Sequence, residues 1–185
     1  MKEYIDSVFE SLAKENYHAA LFSALSLPDI CGKMETPNEG NGARAKRWFA
    51  ENLKSKYYPE SCYEHLMATN PEMAKHMQPD QLEVLKRQPL SVKFDDAAFW
   101  KLRNAFLHEA SDWAGKLKIH ITHGGSHLNM VNGALQLSSV QLCTDIANAA
   151  NIWLEKVKEN PEVWERISQR AKIKNEIMDG FFVFN

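Results

Sequence analysis

Apolar residues recur every three or four positions along the first part of the chain, as they do on one face of a helix. The series runs through Tyr4, Ile5, Val8, Phe9, Leu12, Tyr17, Ala20, Leu21, Ala24 and Leu25. This pattern predicts one amphipathic helix over residues 2–26 with a broad buried face. Pro28 disfavours helical backbone at Leu27, so we expect the helix to stop at "LSLPDICG".

The next third of the chain alternates between loop and helix patterns. The Pro, Asn and Gly content of "TPNEGNG" is typical of a loop, and a helix is expected after it over residues 43–56. Three prolines, Pro71, Pro79 and Pro89, divide residues 57–90. Acidic residues follow the first two, as they do in first helical turns. We therefore expect an irregular series of short helical turns there.

Two longer helices are predicted in the second half, each after a suitable capping residue. Asp95 or Asp96 precedes "DAAFWKLRNAFLHEA", whose apolar face carries Phe99, Leu102 and Phe106, and Gly115 is expected to end that region. Ser138 or Ser139 precedes "VQLCTDIANAANIWLEKVKEN". A further helix is expected over "PEVWERISQRAKIKNEIM", because it opens with a proline followed by an acid.

A change of period between these helices predicts a small β element. "KLKIHIT" alternates apolar and polar residues, and "LNMVNGALQLSS" places Asn132-Gly133 between two alternating runs, which is typical of a hairpin. The closing "GFFVFN" is expected to be a short strand or a docked tail. The fold class is therefore mainly α, a helical bundle with a small β-hairpin, in one domain over residues 1–185.

Charge and cysteine content narrow the function classes. The 22 Lys and Arg against 24 Asp and Glu give a net charge of -2, which argues against coating nucleic acid by charge alone. Three well-separated cysteines indicate neither a disulfide framework nor a cysteine zinc site. Without a run of about 20 apolar residues, and with acids in its first residues, the protein is expected to be cytoplasmic and not a membrane protein.

The stretch "RNAFLH" carries the candidate chemistry. Asn104 and His108 share a helix face, whereas Arg103 lies about 140° around the helix from His108, so the pair converges only if the local structure cooperates. Histidine transfers protons near neutral pH, and arginine grips phosphate with paired donors. Asparagine can orient either partner. Together these groups suit RNA cleavage without a metal or other cofactor.

"RNAFLH" resembles the arginine, polar residue, then histidine motif of the HEPN superfamily, small helical proteins that include many metal-independent endoribonucleases of toxin, phage-defence and RNA-processing systems. The resemblance implies catalytic roles for Arg103, Asn104 and His108, and a homodimer that brings two motifs together, with Trp100 or Trp113 as apolar interface. It also implies RNA as substrate and an antitoxin or other regulatory partner. Three lysines near the motif in sequence, Lys101, Lys116 and Lys118, are candidates for RNA binding. The mid-chain hairpin would be an insertion in the minimal HEPN bundle.

Two alternatives stay open. Arg103 and His108 could be solvated, or pair locally with Glu109 or Asp112, in a non-catalytic interaction or regulatory protein. The segment "HITHGGSH" could bind a transition metal through its histidines His120, His123 and His127. For that, His120 and His127 would lie on adjacent strands joined by the Gly124-Gly125 turn. Because the segment contains no carboxylate or cysteine, no metal is assigned to it.

Overall fold

A computed structural model describes residues 1–111, 113–114, 116–170, 176–177 and 182–183. The predicted fold class is confirmed, because most of the described chain is helical and the strands form one four-stranded sheet and one separate pair. The helices are α1 (Lys2–Ala13), α2 (Tyr17–Glu35), α3 (Asn41–Tyr57), α4 (Cys62–Thr69), α5 (Pro71–Lys75), α6 (Pro79–Arg87), α7 (Asp96–Glu109), α8 (Ser139–Val157) and α9 (Pro161–Ser168). The strands are β1 (Trp113–Ala114), β2 (Leu117–Thr122), β3 (Asn129–Val131), β4 (Ala134–Ser138), β5 (Glu176–Ile177) and β6 (Phe182–Val183).

The core lies where α1, α2, α3 and α8 pack together, with α7 laid across α3. Large aromatic rings fill the space between α3 and α7. Phe49 of α3 stacks on Phe99 of α7 with ring centroids 4.4 Å apart, and both are fully buried. Aromatic pairs of this kind add stability beyond the area that they bury. The position of α7, which carries "RNAFLH", is thus fixed by its apolar face.

The N-terminal pattern forms two helices instead of the predicted one. Glu15 takes a left-handed backbone conformation (φ 55°), which ends the first helical segment, and the Asn16 side chain accepts a hydrogen bond from Ala19 N to start α2. The apolar period continues across this break because both helices bury one face against α8. Hydrophobic period alone therefore did not reveal the joint.

The expected end of the helix at "LSLPDICG" is wrong, because α2 continues through Pro28 to Glu35. A proline inside a helix removes one hydrogen bond and costs about 3 kcal/mol. Residues on both sides of it are buried against neighbouring helices, among them Leu25, Leu27, Cys31 and Met34. Packing therefore outweighs the local preference, and Asp29 lies in the middle of a helix.

The predicted helices from α3 to α8 are present, with small shifts of their ends. The loop before α3 ends earlier than expected, since α3 begins at Asn41. The three short helices α4, α5 and α6 occupy the proline-divided region. Of the two predicted alternatives at each helix start, Asp95 caps α7 by accepting from Ala98 N, and Ser138 caps α8 by accepting from Gln141 N. Gly115 lies outside the described residues.

The sheet has the order β1-β2-β4-β3. The predicted hairpin joins β3 and β4, and its turn residues Asn132 (φ 49°) and Gly133 (φ 77°) both adopt the left-handed conformation that a type I′ turn requires. β2 pairs in parallel with β4 rather than with β3, so His120 lies opposite Gln136. The proposed cross-strand neighbours His120 and His127 are therefore not neighbours, and that part of the metal hypothesis is wrong.

The C-terminal helix is shorter than predicted. α9 ends at Ser168, and Glu176–Ile177, inside the stretch expected to be helical, form β5. β5 pairs antiparallel with β6, so the expected short strand in "GFFVFN" is confirmed at Phe182–Val183. No helix among the described residues combines the length and apolarity that crossing a membrane requires. All three cysteines are free thiols, with Cys31 and Cys143 buried.

Candidate active site

Arg103 contacts both other residues of the motif. Its Nη1 donates a hydrogen bond to Asn104 Oδ1 at 3.0 Å and lies 3.1 Å from His108 Nε2. The two hydrogens of one guanidinium nitrogen suffice for both acceptors. The long arginine side chain thus crosses the angle that separates it from His108 on the helix surface. The convergence of Arg103, Asn104 and His108 that the sequence left open is present in the structure.

His108 lies in the last turn of α7, where the helix is about to end. Ala110 takes the left-handed conformation (φ 50°), and Ser111 N bonds back to Ala105 O. This left-handed cap turns the chain away after His108. His108 is exposed whereas Arg103 and Asn104 are half-buried. The imidazole is therefore open to a ligand, and the arginine is held in the protein.

Groups outside the motif hold Arg103 in place. Trp100, one turn earlier on α7, places its ring 5.1 Å from the guanidinium carbon, within the range of a cation–π contact. Asp29 of α2 lies 3.9 Å from Arg103, measured from Oδ2 to Nη2. Only 14% of the Arg103 side chain is exposed. A cation with so little exposure and a fixed orientation suits the binding of a single anionic group.

Asp29 also joins the site to α3. Its Oδ1 accepts a hydrogen bond from Arg44 Nε at 2.6 Å, and Arg44 Nη1 donates to Glu39 O at 2.8 Å. α2 and α3 approach closely here, since a Cβ added at Gly32 would lie 2.9 Å from Arg44 O. One carboxylate therefore faces two guanidinium groups.

The hydrogen-bond pattern fixes the proton on the His108 ring. A guanidinium group can only donate, so Nε2 must accept, and the neutral imidazole carries its proton on Nδ1. The acceptor nitrogen of the neutral ring is therefore turned toward Arg103. Arg103 Nε–H is buried and has no hydrogen-bond partner among the described residues. A buried donor without an acceptor is unusual in a folded protein and calls for a reason.

Lys101 lies on the same face of α7 as Asn104 and His108. The three follow the i, i+3, i+7 pattern, which places them in one stripe about 10 Å long. Lys101 and His108 are exposed. The other two candidate RNA-binding residues, Lys116 and Lys118, are also exposed and lie before and within β2. α7 contacts β1, and β1 pairs with β2 so that Trp113 lies opposite Lys118.

The three histidines of "HITHGGSH" are used separately. His123 stacks on Tyr17 with ring centroids 5.5 Å apart, and His127 Nδ1 accepts a hydrogen bond from Ser138 N at 3.1 Å. Within the described part of the chain, no three His, Cys, Asp or Glu side chains come together in a way that could hold a metal ion.

Sequence reasoning missed Asp29, Arg44 and the placement of Trp100. Trp100 was considered only as an interface residue, whereas the structure packs its ring on Arg103. Nothing in the local sequence links Asp29 to residues of α7. The alternative local ion pairs of the motif with Glu109 are not among the salt bridges of the described residues, and Asp112 lies outside them.

Comparison with protein-family models found no matching family, and comparisons with curated proteins and with solved structures found no match either.

Proposed function

We propose that the protein is a metal-independent endoribonuclease of the HEPN type. The observation that carries the proposal is the contact of Arg103 with both Asn104 and His108, at 3.0 and 3.1 Å, beside an exposed helix face. A histidine and an arginine at this distance suit the roles of base and phosphate-binding cation at one phosphodiester, which supports the proposal. The resemblance of "RNAFLH" to the HEPN motif supports the same assignment.

In the proposed reaction, Arg103 turns from His108 to the substrate phosphate, and the freed Nε2 of His108 takes the proton of the ribose 2′-hydroxyl. The 2′-oxygen attacks the adjacent phosphorus, the bond from phosphorus to the 5′-oxygen breaks, and the leaving oxygen takes up a proton. The products are a 2′,3′-cyclic phosphate and a 5′-hydroxyl. Arg103 binds the phosphate oxygens on which negative charge develops.

Asn104 orients Arg103 in this proposal. Lys101, Lys116 and Lys118 bind the RNA backbone on either side of the cleaved bond. A homodimer would supply a second Arg103–His108 pair, so that one imidazole acts as base and the other as acid. Sedimentation of the protein at tens of micromolar checks this association, and a monomer alone would contradict it. A role in a toxin or phage-defence system, with an antitoxin or regulatory partner, belongs to the same proposal.

Cleavage of single-stranded RNA in EDTA tests the function. The purified protein is expected to cut RNA and leave a 2′,3′-cyclic phosphate or its opened product. His108→Ala should lose most of the rate, because no neighbour in the motif supplies another near-neutral base. His76→Ala is the matched control, since His76 is exposed at the end of α5 outside the motif.

Circular dichroism must show that the variants are folded. Equal cleavage by wild type and His108→Ala would mean that the activity comes from a contaminant or another site. Absence of cleavage across varied RNAs would instead favour the non-catalytic interaction protein.

A further inference from the structure

A cavity lies at the other end of α3, away from Arg103. It has a volume of about 340 Å³ and is bounded by the end of α3, by α4, by residues 90–92, by residues 127–128 and by the start of α8. Arg44 and Lys56 mark the two sites on α3, twelve residues or about 18 Å apart along the helix axis. The volume falls in the range of small-ligand pockets, roughly 300–1,000 Å³. The endoribonuclease proposal assigns no role to this cavity.

A buried carboxylate organises one wall of the cavity. Asp145 of α8 is 5% exposed, and its Oδ1 accepts a hydrogen bond from Lys56 Nζ at 2.5 Å. Its Oδ2 accepts from the buried Tyr57 hydroxyl at 3.1 Å. Burial, and then the charge of Asp145, raise the pKa of Tyr57 well above its usual range, so the hydroxyl keeps its proton. Asp145 therefore fixes Lys56 at the cavity while a third of the lysine side chain, 32%, stays exposed.

Two imidazoles line the same cavity. His127 packs edge-on against Tyr57, with ring centroids 5.4 Å apart, and its Nδ1 is occupied by Ser138 N. The neutral ring must then carry its proton on Nε2, which makes Nε2 a hydrogen-bond donor. His65 Nδ1 is buried and has no hydrogen-bond partner among the described residues. His65 Nδ1 thus lacks a protein partner among the described residues, and the Nε2–H of His127 is a donor on a ring that lines the cavity.

The net charge of the groups that line the cavity can become more positive, but not more negative, when a ligand binds. Lys56 and Asp145 offset each other, and the two imidazoles can each gain a proton. Burial lowers the pKa of His127, while Asp145 opposes that shift and His65 and Lys56 add to it. An anion in the cavity would favour the protonated imidazoles. The start of α8, which borders the cavity at Gln141, adds the positive end of a helix dipole. Leu90, Val92 and Leu128 form an apolar wall.

We propose that this cavity binds a small organic anion, a phosphate ester or carboxylate with an apolar body, through Lys56, His65 and the Nε2–H of His127. The anionic group meets the two imidazoles and the lysine, and the apolar body lies against Leu90, Val92 and Leu128. This assignment is independent of RNA cleavage, since it uses none of the motif residues.

NMR titration of the intact chain tests the proposal, with phenyl phosphate and benzoate as anionic probes and benzyl alcohol as the neutral one. At least one of the anions is expected to shift the ring resonances of His65 and His127 saturably, and to bind more tightly at about pH 6 than at about pH 8, on either side of the ordinary histidine pKa. Benzyl alcohol is expected to leave them in place. Loss of one charge-assisted hydrogen bond, in His65→Gln or His127→Gln, should weaken binding about tenfold or more.

Matched controls separate the cavity from the surface. His76→Gln changes an exposed histidine outside the cavity, and Lys54→Met changes an exposed lysine on the same helix as Lys56. Both should bind as wild type does, whereas Lys56→Met should bind more weakly. The proposal is overturned if neither anion shifts the two rings at up to about 10 mM, ten times the Kd of a weak site. Equal affinity in wild type, His65→Gln and Lys56→Met would overturn it as well.

Discussion

Asp29 of α2 lies 3.9 Å from Arg103 of α7, measured from Oδ2 to Nη2, and reaches it from a helix 74 residues earlier in the chain. The same carboxylate accepts a hydrogen bond from Arg44 of α3. Three helices are therefore joined at the point from which Arg103 extends to His108. The geometry of the candidate active site depends on the packing of the bundle and not on α7 alone.

Asp29→Asn is expected to lower the kcat of RNA cleavage about ten- to a hundredfold, as small displacements of catalytic groups do. The amide removes the negative charge that faces Arg103 and Arg44, so the guanidinium loses its fixed orientation. KM should change little, because Lys101 and the other surface lysines still bind RNA. Steady-state kinetics measure both constants, and urea unfolding measures the free energy of unfolding.

Glu51→Gln is the matched control for this variant. Glu51 pairs with Arg47 on the exposed side of α3 and has no contact with Arg103. The kcat of the Glu51→Gln variant should equal that of wild type. A wild-type kcat in Asp29→Asn would contradict the positioning role, and so would a loss that follows only from a smaller folded fraction.

Arg103→Lys is expected to be almost as inactive as Arg103→Ala, although it keeps the positive charge. A lysine ammonium lacks the planar fork through which the guanidinium reaches Asn104 and His108 while facing Asp29. Asn104→Ala should be milder, since it removes only one orienting acceptor. Single-turnover cleavage rates order the three variants. Cleavage by Arg103→Lys near the wild-type rate would show that charge alone suffices.

Local chemistry made part of this structure predictable. Asp95 and Ser138 are side-chain caps whose hydrogen bonds lie within three residues, and Asn132-Gly133 needs only its own backbone preferences. The motif residues were found because they follow one another on α7. Asp29 was missed as part of the site, since no period or spacing relates a residue of α2 to one of α7.

The wrong predictions share a physical cause, which is packing between separate parts of the chain. Pro28 does not end α2, because burial of its neighbours outweighs a local helix penalty. β2 pairs with β4 rather than with the nearer β3, and this parallel pairing depends on how the sheet packs and not on turn residues. The cavity beside Asp145 was likewise not predicted, because its walls come from five separate parts of the chain.

Ala110→Gly is expected to stabilise the fold by about 1 kcal/mol. Ala110 is held at φ 50°, a conformation that costs an L-residue with a Cβ and costs glycine nothing comparable. Ala43→Gly, at an exposed position inside α3, should instead destabilise by a similar amount. Urea unfolding of the two variants gives the comparison, and destabilisation by Ala110→Gly would show that the side chain contributes more than the strain that it imposes.

The free energy of unfolding is expected to fall as the pH drops below about 6.5, the ordinary pKa of histidine, partly because of His127. Burial lowers the pKa of His127 in the folded protein, so below that pH the unfolded chain binds a proton that the folded protein does not. Stability then rises with pH. The contribution of His127 is fully present above the unfolded pKa and is lost as the pH falls through the lower folded value, with a slope of at most about 1.4 kcal/mol per pH unit.

His127→Gln keeps an acceptor for Ser138 N but removes the titration, and should therefore flatten this part of the profile. Urea unfolding across the range, with His76→Gln as the control for an exposed histidine, measures the difference. Parallel profiles for wild type and His127→Gln would show that His127 titrates alike in both states.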